Sequence, residues 1–203
     1  MRETRVALWA AVAAPLLYYA TLFGSALLYP GYSHVTQYAS ELGASDAPHP
    51  MVFNIGVMLT GVATVVGAVG LRRAALDLGA RAILTTLGAI ALAAFGLAMV
   101  LGGVFPMPDP RHGAWGLGFA IALAPPLFAA AVWDRMRGLG WAMLAVTVVL
   151  LALLAVMMGV GGLVRRANVG LWQRAFSLAI YPWMGVVALW FRARFRERAP
   201  AVD

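Results

Sequence analysis

The sequence predicts an all-α, polytopic membrane bundle with six transmembrane helices and both termini in the cytoplasm. Three observations predict it. First, of 203 residues 63% are hydrophobic and 11% charged, with a mean hydropathy of +0.84. A soluble domain carries about 25% charged residues, so too little polar surface is present to cover a water-soluble globule. Second, six apolar runs are each long enough for a hydrocarbon core of about 30 Å, which takes about 20 helical residues. Third, the arginines collect between those runs on alternate sides.

The runs are 6–29, 51–71, 82–105, 114–133, 140–164 and 171–191. Together they make one integral membrane domain over 1–203, with no soluble domain left over. The first run follows Arg2 and Arg5, as a signal peptide would. It exceeds an h-region of about 7–15 residues, so it is read as a span. The runs are near-continuously apolar rather than alternating, which excludes barrel strands. Helices satisfy every backbone group within their own segment, as lipid demands.

All fifteen basic residues are arginine. Eleven fall on one side: Arg2, Arg5, Arg72, Arg73, Arg81, Arg135, Arg137, Arg192, Arg194, Arg196 and Arg198. Four fall on the other: Arg111, Arg165, Arg166 and Arg174. The richer side is expected to be cytoplasmic. Membrane orientation accounts for the net charge of +7, so nucleic acid is not an expected partner; membrane lipids are. No cysteine is present, which excludes disulfides and thiol chemistry.

Within the spans, Ala94, Ala98 and Gly102 are spaced by four, as are Ala155 and Gly159. Such spacing lets helices approach closely. Pro15, Pro125–Pro126 and Pro182 interrupt spans and predict kinks. The proline pair fits either a kink accommodated by neighbours or a broken helix lining a cavity.

The chemistry collects on the arginine-poor side. His34, His49, His112, Glu41, Asp46 and Asp109 all fall there. In the first loop, Ser33–Leu42 reads as a short helix capped by Ser33 and stopped by Gly43. His34, Gln37, Tyr38 and Glu41 would then share one face. In the second loop, Asp109 and His112 are three apart, a spacing at which a carboxylate can orient an imidazole. In the third, Arg174, Ser177 and Tyr181 share a helix face, and Asn54 lies at a similar depth. The expected catalytic set is Glu41, Asp109 and His112. The expected ligand or head-group set is Arg174, Asn54, His34, Gln37, Ser40 and Tyr181. Arg174 either snorkels, pairs with Glu41 or Asp109, or holds an anionic group. A metal would fall to His34, His49 and His112, though no HxxxH or HExxH spacing is present and nothing requires a cofactor.

Several of these segments resemble one family. They are Tyr32-Ser33-His34, the run Gln37–Ala44, and Asn54 with Gly56 and Gly61. Further on come Phe105-Pro106 with Asp109 and His112-Gly113, then Gly170-Leu171 with Gln173-Arg174 and Trp183. In this order they resemble the family called domain of unknown function 998. The resemblance implies a small multi-pass membrane protein of a bacterial or archaeal cell membrane, with no established general activity. It also implies a distant likeness to six-span lipid-remodelling membrane proteins. The motif residues it brings forward are Ser40, Glu41, Asn54, Asp109, His112 and Arg174. Ala114–Gly118 is apolar where members often carry a further polar residue.

Three functional classes follow as expectations. One is a membrane enzyme with an outward-facing site for a lipid or isoprenoid, using Glu41 and the Asp109–His112 pair with Arg174 on an anionic group. Another is a non-catalytic lipid- or small-molecule-binding or transport protein. The last is a structural protein whose polar loops interlock. Mid-membrane charges are lacking, which argues against an ion-coupled pump.

Overall fold

The computed structural model describes residues 2–197, and all regular structure in them is helical. Six segments are long and apolar enough to cross a membrane: Glu3–Leu27, Pro50–Asp77, Ala82–Val104, Pro110–Val132, Arg137–Met157 and Val169–Glu197. They comprise α1 (Arg2–Leu27), α2 (Pro50–Asp77), α3 (Ala82–Val104), α4 (Ala124–Val132), α5 (Arg137–Met157), α6 (Val169–Ile180) and α7 (Pro182–Glu197), with a 3-10 stretch, Pro110–Leu123, leading into α4. Arg192 of α7 donates to the Arg5 carbonyl of α1 at 3.2 Å and lies over the Trp9 ring. The start of α1 and the end of α7 therefore meet at one face, the terminal face. The loops after α1, α3 and α5 form the opposite loop face.

Lipid tails are as apolar as leucine, so packing rather than water exclusion holds such helices together. Glycine supplies that packing here. Gly61 of α2 and Gly96 of α3 each approach the other's backbone carbonyl so closely that a Cβ would collide. Gly67 and Gly70 of α2 seat against the Ala11 and Ala7 backbone of α1 in the same way. Buried Thr60, Thr64, Thr85 and Thr147 each donate to the carbonyl one turn back at 2.8 Å, which satisfies their hydroxyls inside the apolar interior.

The α3 stripe packs as expected at Ala98 and Gly102, which face the 3-10 stretch at Gly118 and His112. The fifth-span pair does not. Gly159 has φ +96 and lies past the helix end, where an added Cβ would meet no neighbouring helix. With Gly161 and Gly162, also at positive φ, it ends α5 at Met157, although the apolar run continues to Val164. The second helix continues past Leu71 because its arginines find partners: Arg72 donates to Thr86 at 2.9 Å, and Arg73 pairs with Glu3 at 3.1 Å.

The fourth span departs furthest from a regular helix. Pro110–Leu123 is 3-10 and passes through Ala114, Trp115 and Gly116 at positive φ. Pro125 and Pro126 then sit in the first turn of α4, where missing amides cost nothing. The broken-helix alternative is thus the one observed. Pro182 starts α7 after a break at Tyr181, whereas Pro15 lies inside a continuous α1 against Gly185.

Replacing Gly61 by valine should cost about 1–3 kcal/mol by overpacking against α3. A Cβ added at Gly24 would meet nothing, so Gly24→Ala should leave the thermal midpoint in detergent unchanged. Equal midpoints for wild type and Gly61→Val would contradict the tight α2–α3 contact.

Candidate functional site

The first loop does not form the expected helix from Ser33 to Leu42. Ser33 Oγ does accept from the amides of Val35 and Thr36 at 3.3 Å, as a cap would. The turn ends after one cycle, because Tyr38 is extended (φ −67, ψ 150) and a short 3-10 helix follows at Ala39–Gly43. His34, Gln37, Tyr38 and Glu41 therefore do not line one helical face. Gln37 instead links two turns. Its Oε1 accepts from Ser33 N at 2.8 Å, and its Nε2 donates to Glu41 Oε2 at 3.0 Å. Glu41 Oε1 accepts from Tyr38 N at 2.7 Å. Both Glu41 oxygens are thus spent holding the loop's own backbone and Gln37.

Arg174 spends its charge similarly. Its Nη1 donates to the Gln37 carbonyl at 2.6 Å, the Gly170 carbonyl at 3.2 Å and Gln173 Oε1 at 3.3 Å. Its Nη2 donates to the Tyr32 hydroxyl, which in turn donates to the Tyr38 carbonyl at 3.0 Å. No ion pair to Glu41 or Asp109 forms among the described residues. The partnership expected from opposite charges is replaced by carbonyl dipoles and a phenol. Arg174 staples the first loop to α6, where Leu171 N also donates to the Val35 carbonyl at 3.0 Å. Gly170 is required at this crossing, since a Cβ would collide with the His34 and Gln37 carbonyls.

Asn54 is buried, and its Nδ2 donates to the Gly43 carbonyl at 2.9 Å. Gly43 does stop the short helix, but its backbone is not at positive φ. A Cβ there would run into Asn54. Asn54 therefore anchors the loop rather than facing a ligand.

Asp109 and His112 do not form a dyad. Arg111, two residues on, takes the Asp109 carboxylate through its backbone amide at 2.8 Å and its guanidinium at 2.7 and 3.0 Å. These hydrogen bonds hold Asp109 down to about 2. The His112 ring turns the other way. Its Nδ1 lies 2.9 Å from the Phe105 carbonyl and 3.2 Å from the Gly102 carbonyl. Carbonyls only accept, so Nδ1 carries the proton and, in the neutral ring, Nε2 keeps a lone pair. Nε2 has no hydrogen-bond partner among the described residues.

That ring helps line a cavity of about 370 Å³ between the loop face and the bundle. Apolar walls come from Phe53 and Val57 of α2 and Phe95, Ala98 and Met99 of α3. Its polar groups are Ser40, His112, Gln173, Tyr18 and Tyr181. Gln173 is fixed by accepting from Ala39 N at 2.6 Å. Tyr18 and Tyr181 stack with centroids 3.8 Å apart, and the Tyr181 hydroxyl reaches Met99 Sδ at 3.6 Å. The residues expected at a site thus divide. Ser40, His112 and Tyr181 line the cavity. Glu41, Arg174, Gln37 and Asn54 build its frame, and Asp109 stays in its own loop.

His34 packs between Phe23 and Tyr32. Burial, then the nearby Arg174 charge, push its pKa down. His49 is exposed ahead of α2. The three histidines do not meet, and no group of three His, Asp or Glu side chains among the described residues is placed to hold a metal. Two lining residues, Gln173 and Tyr18, lie outside the site set that the sequence predicts. The adjacent Gln173-Arg174 pair at a helix start was the available signal for the first. Nothing distinguished Tyr18 from its neighbour Tyr19.

Six membrane-capable helices, with a half-buried loop frame at one face, define this chain as an integral-membrane-type helical protein. The family model described as Protein of unknown function (DUF998) matches residues 12–190, and the chain belongs to that family. No curated protein and no solved structure matches it.

Charge-assisted hydrogen bonds contribute about 1.5–3 kcal/mol each. Arg174→Gln should therefore speed amide exchange across Val35–Glu41 at least about tenfold, while the α2–α3 core stays protected. Lysine should rescue little, because a point charge cannot reach several acceptors at once. Unchanged exchange in Arg174→Gln would remove the staple.

Proposed function

We propose that the loop-face cavity binds an amphipathic, lipid-like molecule with its polar end at His112. One observation carries the reading. The cavity is mostly apolar, and the single imidazole in its wall presents an unpartnered Nε2. A volume of about 370 Å³ falls within the roughly 300–1,000 Å³ range of small-molecule sites. Apolar walls suit an acyl or isoprenoid tail; Ser40, Gln173 and His112 suit an oxygenated end. Glu41 and Arg174 keep the loop in place and take no part in contact with the molecule.

A diazirine-bearing isoprenoid alcohol or fatty acid should label the 98–118 region of wild type. Ala98→Trp fills the cavity and should abolish labelling. His112→Gln should reduce it several-fold while expression and thermal midpoint hold. Labelling that Ala98→Trp leaves intact would place the molecule elsewhere.

Catalysis is a second reading, favoured by Ser40 sharing the cavity with an imidazole acceptor. His112 would be its general base. Conversion of the captured lipid by wild type but not by His112→Gln would select it over simple binding.

The loop face is assigned to the extracytoplasmic side by the arginine bias, in the plasma membrane of a bacterial or archaeal cell. The chain lacks cysteine, so single introduced cysteines are clean probes. Exposed Ser45→Cys should react with an impermeant maleimide in intact cells, and exposed Asp77→Cys only after permeabilisation. The reverse pattern would invert the topology.

A further inference from the structure

A second built feature lies on the other face, away from the loop-face cavity. Between α5 and the broken α6–α7 helix runs an apolar groove of about 620 Å³. It passes Ala142, Val146 and Val149 on one side and Pro182, Val186 and Trp190 on the other. At the terminal face it continues into a polar cavity of about 500 Å³, the two sharing Gly138, Leu139 and Trp190. Arg135, Arg137 and Arg194 line that mouth against one acid, Glu197. Glu197 pairs with Arg194 at 3.1 Å. Asp134, the other acid nearby, is taken by Arg81 at 2.5 Å. Arg135 and Arg137 make no ion pair among the described residues.

We infer that this groove is a binding site for an anionic glycerophospholipid of the terminal-face leaflet. Its phosphate sits among Arg135, Arg137 and Arg194, and one acyl chain lies along α5. The dimensions fit. Gly138 to Val149 spans about 16 Å of helix at about 1.5 Å per residue, which is one leaflet of a hydrocarbon core about 30 Å thick. The charge fits as well, because a cluster of arginines between helices at the membrane surface attracts anionic head groups. A second copy of the chain in the same orientation would bring a like-charged mouth against this one. The groove has its shape for identifiable reasons: Gly138 and Ala142 leave α5 thin, and Pro182 breaks the opposing helix.

The test uses the full chain in nanodiscs and reads tryptophan quenching by brominated lipids, since Trp190 lines both parts of the groove. Brominated phosphatidylglycerol should quench several-fold more effectively than brominated phosphatidylcholine. Arg135→Gln/Arg137→Gln/Arg194→Gln should erase that preference. A Cβ on Gly138 meets nothing, so Gly138→Leu should fold normally, plug the groove and lower quenching by both lipids. It tests the groove even if the triple variant fails to fold. Unlabelled phosphatidylglycerol should relieve the quenching, and inorganic phosphate at the same concentration should not. Equal quenching by the two lipids in wild type, an unaffected Gly138→Leu, or equal competition by free phosphate would each overturn the site. So would light scattering that shows a stable dimer which Gly138→Leu disrupts.

Discussion

A guanidinium at the edge of a membrane must be solvated by something, and Arg174 is solvated by the chain itself. Its Nη1 and Nη2 meet the Gln37 and Gly170 carbonyls, Gln173 and the Tyr32 hydroxyl, while its buried Nε has no partner among the described residues. The rest of the loop face depends on this arrangement. A cation paired with a carboxylate would hold one side chain. A cation shared among backbone carbonyls holds a path of chain, because each acceptor fixes the residue that bears it. The first loop is thereby laid across the start of α6, with Gly170 leaving room for the crossing. Ser40 and Gln173 consequently come to the cavity from two distant parts of the sequence.

The opposite wall is set by a different constraint. The fourth span enters the membrane as a 3-10 stretch with left-handed residues at Ala114–Gly116, and only becomes α-helical at Ala124. Irregular backbone at that depth is tolerated where it lines a cavity, and His112, Gly113, Ala114 and Gly118 do line one. Ala98 and Gly102 of α3 keep that stretch close without filling the space. The carbonyls ending α3 then dictate the His112 tautomer. Charge and chemistry are therefore separated. Glu41 and Arg174 hold the frame, Asp109 is bound to its neighbour Arg111, and the imidazole lines the cavity.

Lipid makes the spans legible in sequence, since only long apolar helices satisfy both length and backbone demands, and all six runs became membrane-capable segments. Their ends were harder to read. Apolar character alone carries the fifth run to Val164, whereas Gly159, Gly161 and Gly162 end its helix at Met157. The loop-face clustering of Ser40, Glu41, Asn54, His112 and Arg174 was legible too, but the division among them was not. Opposite charges suggest that Glu41 and Arg174 pair, yet nearer groups engage each first: the Tyr38 amide and Gln37 side chain take Glu41, and the Gln37 and Gly170 carbonyls with the Tyr32 hydroxyl take Arg174. Asp109 stands at helical spacing from His112, but Arg111 is closer and cationic. A single turn ending at Tyr38 undoes the face that would have joined His34 to Glu41. Such outcomes turn on hydrogen-bond competition within a few residues, which spacing does not encode.

The two faces of the bundle are built differently: one holds a framed cavity with an imidazole, the other a groove with an arginine mouth. The central claim is that His112 offers Nε2 to a molecule in the first. Side-chain ¹⁵N spectra of histidine-labelled protein, recorded on the neutral form of the ring, test it most directly. The account predicts that His112 is protonated at Nδ1, with an Nε2 signal that moves when a fatty acid or isoprenoid alcohol is added while Nδ1 stays bound. A ring protonated at Nε2, or an Nε2 signal indifferent to every amphipathic ligand, would contradict it.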